Sequence, residues 1–166
     1  MPNLFKIYIL VVTFLLASCS TTPISDRRAL ILIPQSQEVQ LGKQAYSKAL
    51  KDQKESENTH LNQVLQRVGR QIAAVSDMPD LDWEFKLIES KDKNAFALPG
   101  GKVAVYTGML KICKNEAGLA TVLSHEIAHV IARHGAQRMS QQLLLTGAMI
   151  GANISLQNNT QRGIIM

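Results

Sequence analysis

The spacing of apolar residues changes several times along this chain, and each change marks an element. Residues 7–16 form an apolar run broken only by Thr13. Pro34-Gln35-Ser36 precedes a helical stretch to about Leu50, with Val39, Tyr46, Ala49 and Leu50 on its apolar side. Residues 51–57 are a polar connection. Leu61, Val64, Leu65, Val68, Ile72 and Val75 then follow helical spacing, with Asn58 or Thr59 as the cap. Trp83, Phe85 and Leu87 alternate with Glu84 and Lys86, the pattern of a half-buried strand. Residues 94–98 are a short apolar run stopped by Pro99-Gly100-Gly101, and residues 102–106 resume as a strand with β-branched Val103 and Val105. Proline fixes φ and two glycines can take positive φ, so these runs fold back as a small antiparallel sheet. Residues 116–134 read as one helix, capped near Asn115 and stopped by Gly135. Residues 137–156 predict a further helix, polar at first and apolar from Leu143, with Gly147 and Gly151 as a small-residue pair. About a dozen apolar residues is too few to span a bilayer, so this helix is expected to be buried. The pattern as a whole predicts an α+β fold, mainly helical with a small sheet.

Length and composition narrow the class. With 166 residues, 46% apolar and 19% charged, the chain is a single domain with room for a core, and disorder is excluded for the whole. Eighteen basic against thirteen acidic side chains leave a surplus of five that is spread along the chain. No basic cluster with interleaved aromatics exists, so no nucleic-acid partner is expected. Lys6 is the only charged side chain in the first 25 residues. The ten-residue apolar run after it falls short of the ~20 residues of a membrane span and fits a secretory signal. It ends in Leu16-Ala17-Ser18-Cys19, which resembles a bacterial lipobox with Cys19 as the lipidated residue. The expected organisation is a signal peptide over 1–18, the lipidated cysteine and its tether over 19–28, and the folded domain over 29–166. In lipoproteins of two-membrane bacteria, a residue other than Asp after the cysteine, here Ser20, directs sorting to the outer membrane. Only Cys113 then remains, which excludes an internal disulfide and suits a small core residue. His60 is expected at the surface.

The chemistry is carried by His125-Glu126-Ile127-Ala128-His129. At about 100° per residue the two histidines lie about 40° apart on one helix face, so both imidazoles can reach one cation. Glu126 borders that point without needing to ligate, and can take a proton from a zinc-activated water. Ala128 keeps the metal face open, while Leu123, Ile127, Val130 and Ile131 form an apolar face. The third ligand is open. His134 is a candidate, but on an unbroken helix it points about 140° away from His129. No Asp or Glu follows Glu126 in this chain.

Several segments together resemble the M48 family of zinc metallopeptidases, its bacterial lipoprotein members above all. They are Asn94-Ala95-Phe96-Ala97-Leu98-Pro99-Gly100-Gly101, Val105-Tyr106-Thr107-Gly108-Met109-Leu110, Asn115-Glu116-Ala117, and Ser124-His125-Glu126-Ile127-Ala128-His129 through Arg133-His134-Gly135. The likeness runs from about Arg27 to Gln142. It implies a gluzincin-type catalytic domain with His125 and His129 on one Zn2+ ion and Glu126 as base. It also implies a periplasmic role in clearing misfolded or misassembled envelope proteins. The family's third ligand is a downstream Glu, so the resemblance implies an N-terminal fragment of such an enzyme, incomplete at its C-terminus. The alternative is a catalytically inactive lipoprotein that binds the same clients or assembly partners. Asn94, Ala95 and Phe96 are expected to lie in an edge strand, spanning residues 94–98, that receives substrate as an added antiparallel strand. Without a C-terminal half, Val130, Ile131 and the run Leu143, Leu144 and Leu145 are expected to be exposed.

Overall fold

The computed structural model describes residue 6, residues 19–21 and residues 28–163, with side chains described for residues 6 and 29–153. Apart from Lys6, the expected signal peptide lies outside the described residues, as do residues 22–27 of the expected tether. The described part of that tether is paired rather than free. Strand β1 (Cys19–Thr21) runs antiparallel to β2 (Arg28–Leu30), with Cys19 opposite Leu30.

Helix α1 (Gln35–Leu50) begins where Pro34, with φ −58°, sets a helical entry, and the Glu38 amide donates to the Pro34 carbonyl at 3.0 Å. Its buried stripe is Glu38, Gly42 and Tyr46, spaced four residues apart. This corrects the expected apolar side, since Ala49 faces solvent. Gly42 is required there, because a β-carbon would stand 2.1 Å from the Pro99 carbonyl oxygen. Helix α2 (Thr59–Ala74) is capped as expected, with the Asn58 side chain accepting from the Leu61 amide at 3.0 Å. It buries Leu65, Val68, Gly69 and Ala73. Val75 lies past the helix end and is 85% exposed, outside the stripe that the spacing predicts.

The sheet contains β3 (Glu84–Ile88), β4 (Ala95–Leu98) and β5 (Lys102–Tyr106) in the order β3-β5-β4. The β4–β5 pair is antiparallel, as the Pro99-Gly100-Gly101 turn predicts, and Gly100 and Gly101 sit at φ 85° and 78°. The β3–β5 pair is parallel, so the sheet is mixed where a purely antiparallel one was expected. The short connection after β3 carries the chain one strand beyond its neighbour. The returning β5 then fills the gap between them.

Alternation sorts the sheet's side chains onto two layers. Phe85, Leu87, Val103 and Val105 face α2 and helix α4 (Glu116–Ile131), against Leu65, Val68, Leu119, Leu123 and Ile127. Ala104, Phe96 and Leu98 face Tyr46 of α1, whose hydroxyl donates to the Val103 carbonyl at 2.9 Å. Helix α3 (Thr107–Cys113), which periodicity does not announce, joins β5 to α4 and places Cys113 in the core. Asn115 caps α4 as expected, accepting from the Gly118 amide at 2.9 Å.

The end of α4 is the main departure from the expected helix of residues 116–134. The helix stops at Ile131, Arg133 takes φ 53°, and helix α5 (His134–Gly163) starts afresh. Gly135 is therefore the second residue of a new helix and not a stop. The buried Ser140 of α5 accepts from the Leu32 amide at 2.9 Å, fixing α5 to the segment before α1. Farther along, Leu143, Leu144 and Leu145 are exposed, as expected of that run, and so are Met149 and Ile150, so the apolar half of α5 is not the buried helix that its spacing suggested. Val130 and Ile131 are buried, contrary to their expected exposure, and Ile131 packs into the core that the sheet and α2 form with α4. Among the described residues no helix is long and apolar enough to cross a membrane.

Candidate metal centre

The two motif histidines sit one turn apart near the end of α4, a helix whose opposite face is locked into the core by Leu119, Leu123 and Ile127. Their Nε2 atoms are 3.1 Å apart, and their rings meet edge to face with centroids 4.5 Å apart. Two nitrogens on one tetrahedral zinc, at ~2.0–2.1 Å each, lie about 3.4 Å from one another. Neutral imidazole nitrogens converging on one point are the donor chemistry that zinc takes, so the pair fits the ion. His125 faces solvent and His129 is half-buried. Among the described residues, no group of three His, Cys, Asp or Glu side chains converges as a metal site.

His134 does not point away. Because α4 breaks at Arg133, the His134 ring turns back and its Nδ1 lies 2.6 Å from the Nδ1 of His129, with ring centroids 4.9 Å apart. This corrects the geometry expected of an unbroken helix. His134 meets the far side of the His129 ring from the nitrogen that faces His125, so it is a neighbour of that pair and not a third donor to the same point. Burial, and then the charge of His129 and Arg138, pushes His134 below the ordinary imidazole range.

The break itself is held by an ion pair that sequence reasoning misses. The Arg133 guanidinium donates from Nε to Oε2 of Glu38 at 2.8 Å, while its Nη2 pairs with the same oxygen at 2.8 Å and donates to the Ile33 carbonyl at 3.3 Å. Ninety-five residues separate the partners, and the only local signal is an acidic residue on the stripe that α1 buries. The Gln137 side chain donates to the Ala132 carbonyl at 2.8 Å, satisfying a carbonyl at the end of α4. Gly135 packs so tightly against the β4–β5 turn that a β-carbon would stand 2.8 Å from Cγ of Pro99.

A groove of about 470 Å³ runs between α1, β4, α4 and the start of α5. Glu126 and His129 line it beside Phe96, Ala97 and Leu98, with Leu41, Val130 and Met139 as apolar walls. Strand β4 is at the sheet edge, and among the described residues only β5 pairs with it. Asn94 precedes the strand and is exposed. The Tyr106 amide donates to the Asn94 carbonyl at 3.0 Å, which makes Asn94–Tyr106 a hydrogen-bonded pair. Antiparallel ladders alternate, so Phe96 and Leu98 also direct their backbone groups to β5, while those of Ala95 and Ala97 face the open edge. Of Asn94, Ala95 and Phe96, only Ala95 offers its backbone to the open edge, and Ala97 does so too.

A rigid helix bringing two imidazoles to one point, with a carboxylate at the intervening position and an open strand beside it, is the arrangement that metal-dependent peptidases of the HExxH type use. The chain belongs to peptidase family M48, whose sequence profile matches residues 59–166. It is 40% identical to the mitochondrial metalloendopeptidase OMA1 of Schizosaccharomyces pombe over 71% of this chain and 36% of that protein. The mitochondrial metalloendopeptidase OMA1 of Saccharomyces cerevisiae is 35% identical over 72% of this chain and 39% of its own length. The beta-barrel assembly-enhancing protease of Escherichia coli K12 is 34% identical over 49% of this chain and 17% of that protein. The chain thus spans little more than a third of the length of these yeast relatives and less of the bacterial one.

Proposed function

We propose that this domain is a zinc endopeptidase that cleaves unfolded or misassembled proteins of the bacterial cell envelope, tethered by a lipidated Cys19 to the outer membrane and facing the periplasm. The observation that carries the reading is the shared groove. Glu126 and His129 line the same cleft as the edge strand β4, so a peptide paired along β4 passes the HExxH residues. His125 and His129 would hold the zinc through Nε2. Bound zinc supplies Lewis acidity, lowering the pKa of a water and polarising the scissile carbonyl. Glu126 takes the proton of the attacking water and delivers it to the departing amine. Ala95 and Ala97 align the substrate by main-chain hydrogen bonds, which are blind to side chains and select extended, unfolded segments. The name of the Escherichia coli relative and the lipobox-like Leu16-Ala17-Ser18-Cys19 support the envelope assignment.

The test is Glu126→Gln, which fills the same space and cannot accept the proton. It should keep zinc and lose chelator-sensitive cleavage of casein, and normal turnover by the variant would overturn the assignment of the base. A second reading, binding of the same clients without cleavage, has one observation in its favour: no third donor joins His125 and His129 among the described residues. Zinc-loaded protein that binds casein without cutting it would favour that reading.

A further inference from the structure

The contact between His129 and His134 is at the wrong ring atom for a shared cation and at the right one for holding a ligand. We propose that His134 is a positioning residue that accepts the Nδ1 proton of His129, fixing the tautomer that leaves Nε2 of His129 facing His125. The inference rests on reading His125 and His129 as metal ligands.

Two observations support it. The Nδ1 atoms of His129 and His134 are 2.6 Å apart, while Nε2 of His129 lies 3.1 Å from Nε2 of His125. One ring nitrogen is thus committed to each neighbour. Two nitrogens in hydrogen-bond contact need one proton between them. If His129 is to offer a lone pair from Nε2, that proton sits on its Nδ1 and His134 is the acceptor. Ligating histidines ordinarily give their second N–H to an oxygen acceptor that holds the ring, and here an imidazole takes that place. Second, nothing in helical geometry brings residue 134 to residue 129. The approach exists only because Arg133 adopts φ 53°, a conformation a non-glycine residue takes at a cost, and Glu38 holds Arg133 there.

The experiment separates this proposal from the metal reading. Long-range proton–nitrogen NMR of the metal-free 166-residue chain at about pH 8, above the ordinary imidazole range, reports each histidine's tautomer. His129 should be Nδ1-protonated in the native chain and revert towards the Nε2-protonated form in His134→Ala. His134→Asn, whose Oδ1 can stand where Nδ1 stood, should restore the native tautomer. Zinc affinity by calorimetry should fall about 10–100-fold in His134→Ala and recover in His134→Asn. An unchanged His129 tautomer in His134→Ala would overturn the proposal, as would unchanged zinc affinity in that variant beside lost binding in His129→Ala. If His129→Ala itself keeps native zinc affinity, the metal reading fails instead, and the tautomer measurement still decides the hydrogen bond.

Discussion

Arg133 is where backbone strain and a buried charge meet, so its replacement has a magnitude that can be worked out. Arg133→Ala keeps the positive φ and leaves the Glu38 carboxylate, whose side chain is 5% exposed, without its guanidinium. Breaking a buried pair from one side costs about 3–5 kcal/mol, because the remaining charge is desolvated and uncompensated. Arg133→Gly loses the same pair but relieves a left-handed conformation worth about 1–2 kcal/mol, so its net loss should be about 1–4 kcal/mol. Glu38→Leu with Arg133→Gly removes both charges and the strain, and should return to within about 1 kcal/mol of the native chain. Urea unfolding followed by circular dichroism at neutral pH gives all these values. Against a total stability of about 5–15 kcal/mol the single replacements should shift the midpoint visibly. Losses under about 1 kcal/mol for Arg133→Ala, or a double variant that is merely the sum of its parts, would refute the view that this pair builds the break.

Other outcomes follow from the same structure. Burial first, and then Glu84 and Glu55, raise Tyr46 above its ordinary value of 10.0, so the folded chain holds this proton more tightly than the unfolded one. Stability carried by Tyr46 is therefore complete below about pH 10 and drains away as pH rises further; Tyr46→Phe should show a shallower alkaline loss in pH-dependent unfolding. Ala97→Pro removes an amide that faces the open edge and not β5, so it should weaken casein cleavage while thermal unfolding shifts little, whereas Phe96→Pro should destabilise the sheet itself. Equal loss of cleavage and fold in both variants would refute the edge assignment. Gly101→Ala forces a side chain onto φ 78° and sets its β-carbon 3.1 Å from Cδ2 of Trp83, and should lower stability by about 1–2 kcal/mol in the same urea titration.

Much of this protein is legible in its sequence, because the relevant interactions are local. The caps at Asn58 and Asn115, the α2 stripe of Leu65 and Val68, the Phe85 and Leu87 alternation and the Pro99-Gly100-Gly101 turn all follow from spacing within a few residues. His125, Glu126 and His129 fall on one side of α4 for the same reason, since helical periodicity alone sets their separation. Long-range partners decided what remained. The parallel β3–β5 pair depends on which strand fills a gap, and single strands carry no mark of their neighbour's direction. The end of α4 was misread because a helix-compatible run, Ala132-Arg133-His134, is broken by a carboxylate 95 residues earlier. That one buried pair turns His134 back onto His129, and no local preference of the residues around it encodes the turn. The sequence by itself determined most of the elements and the one-turn spacing of His125 and His129; the tertiary structure decided the end of α4, the sheet's mixed order, the groove and the neighbour of His129, because each depends on contacts between segments far apart in the chain.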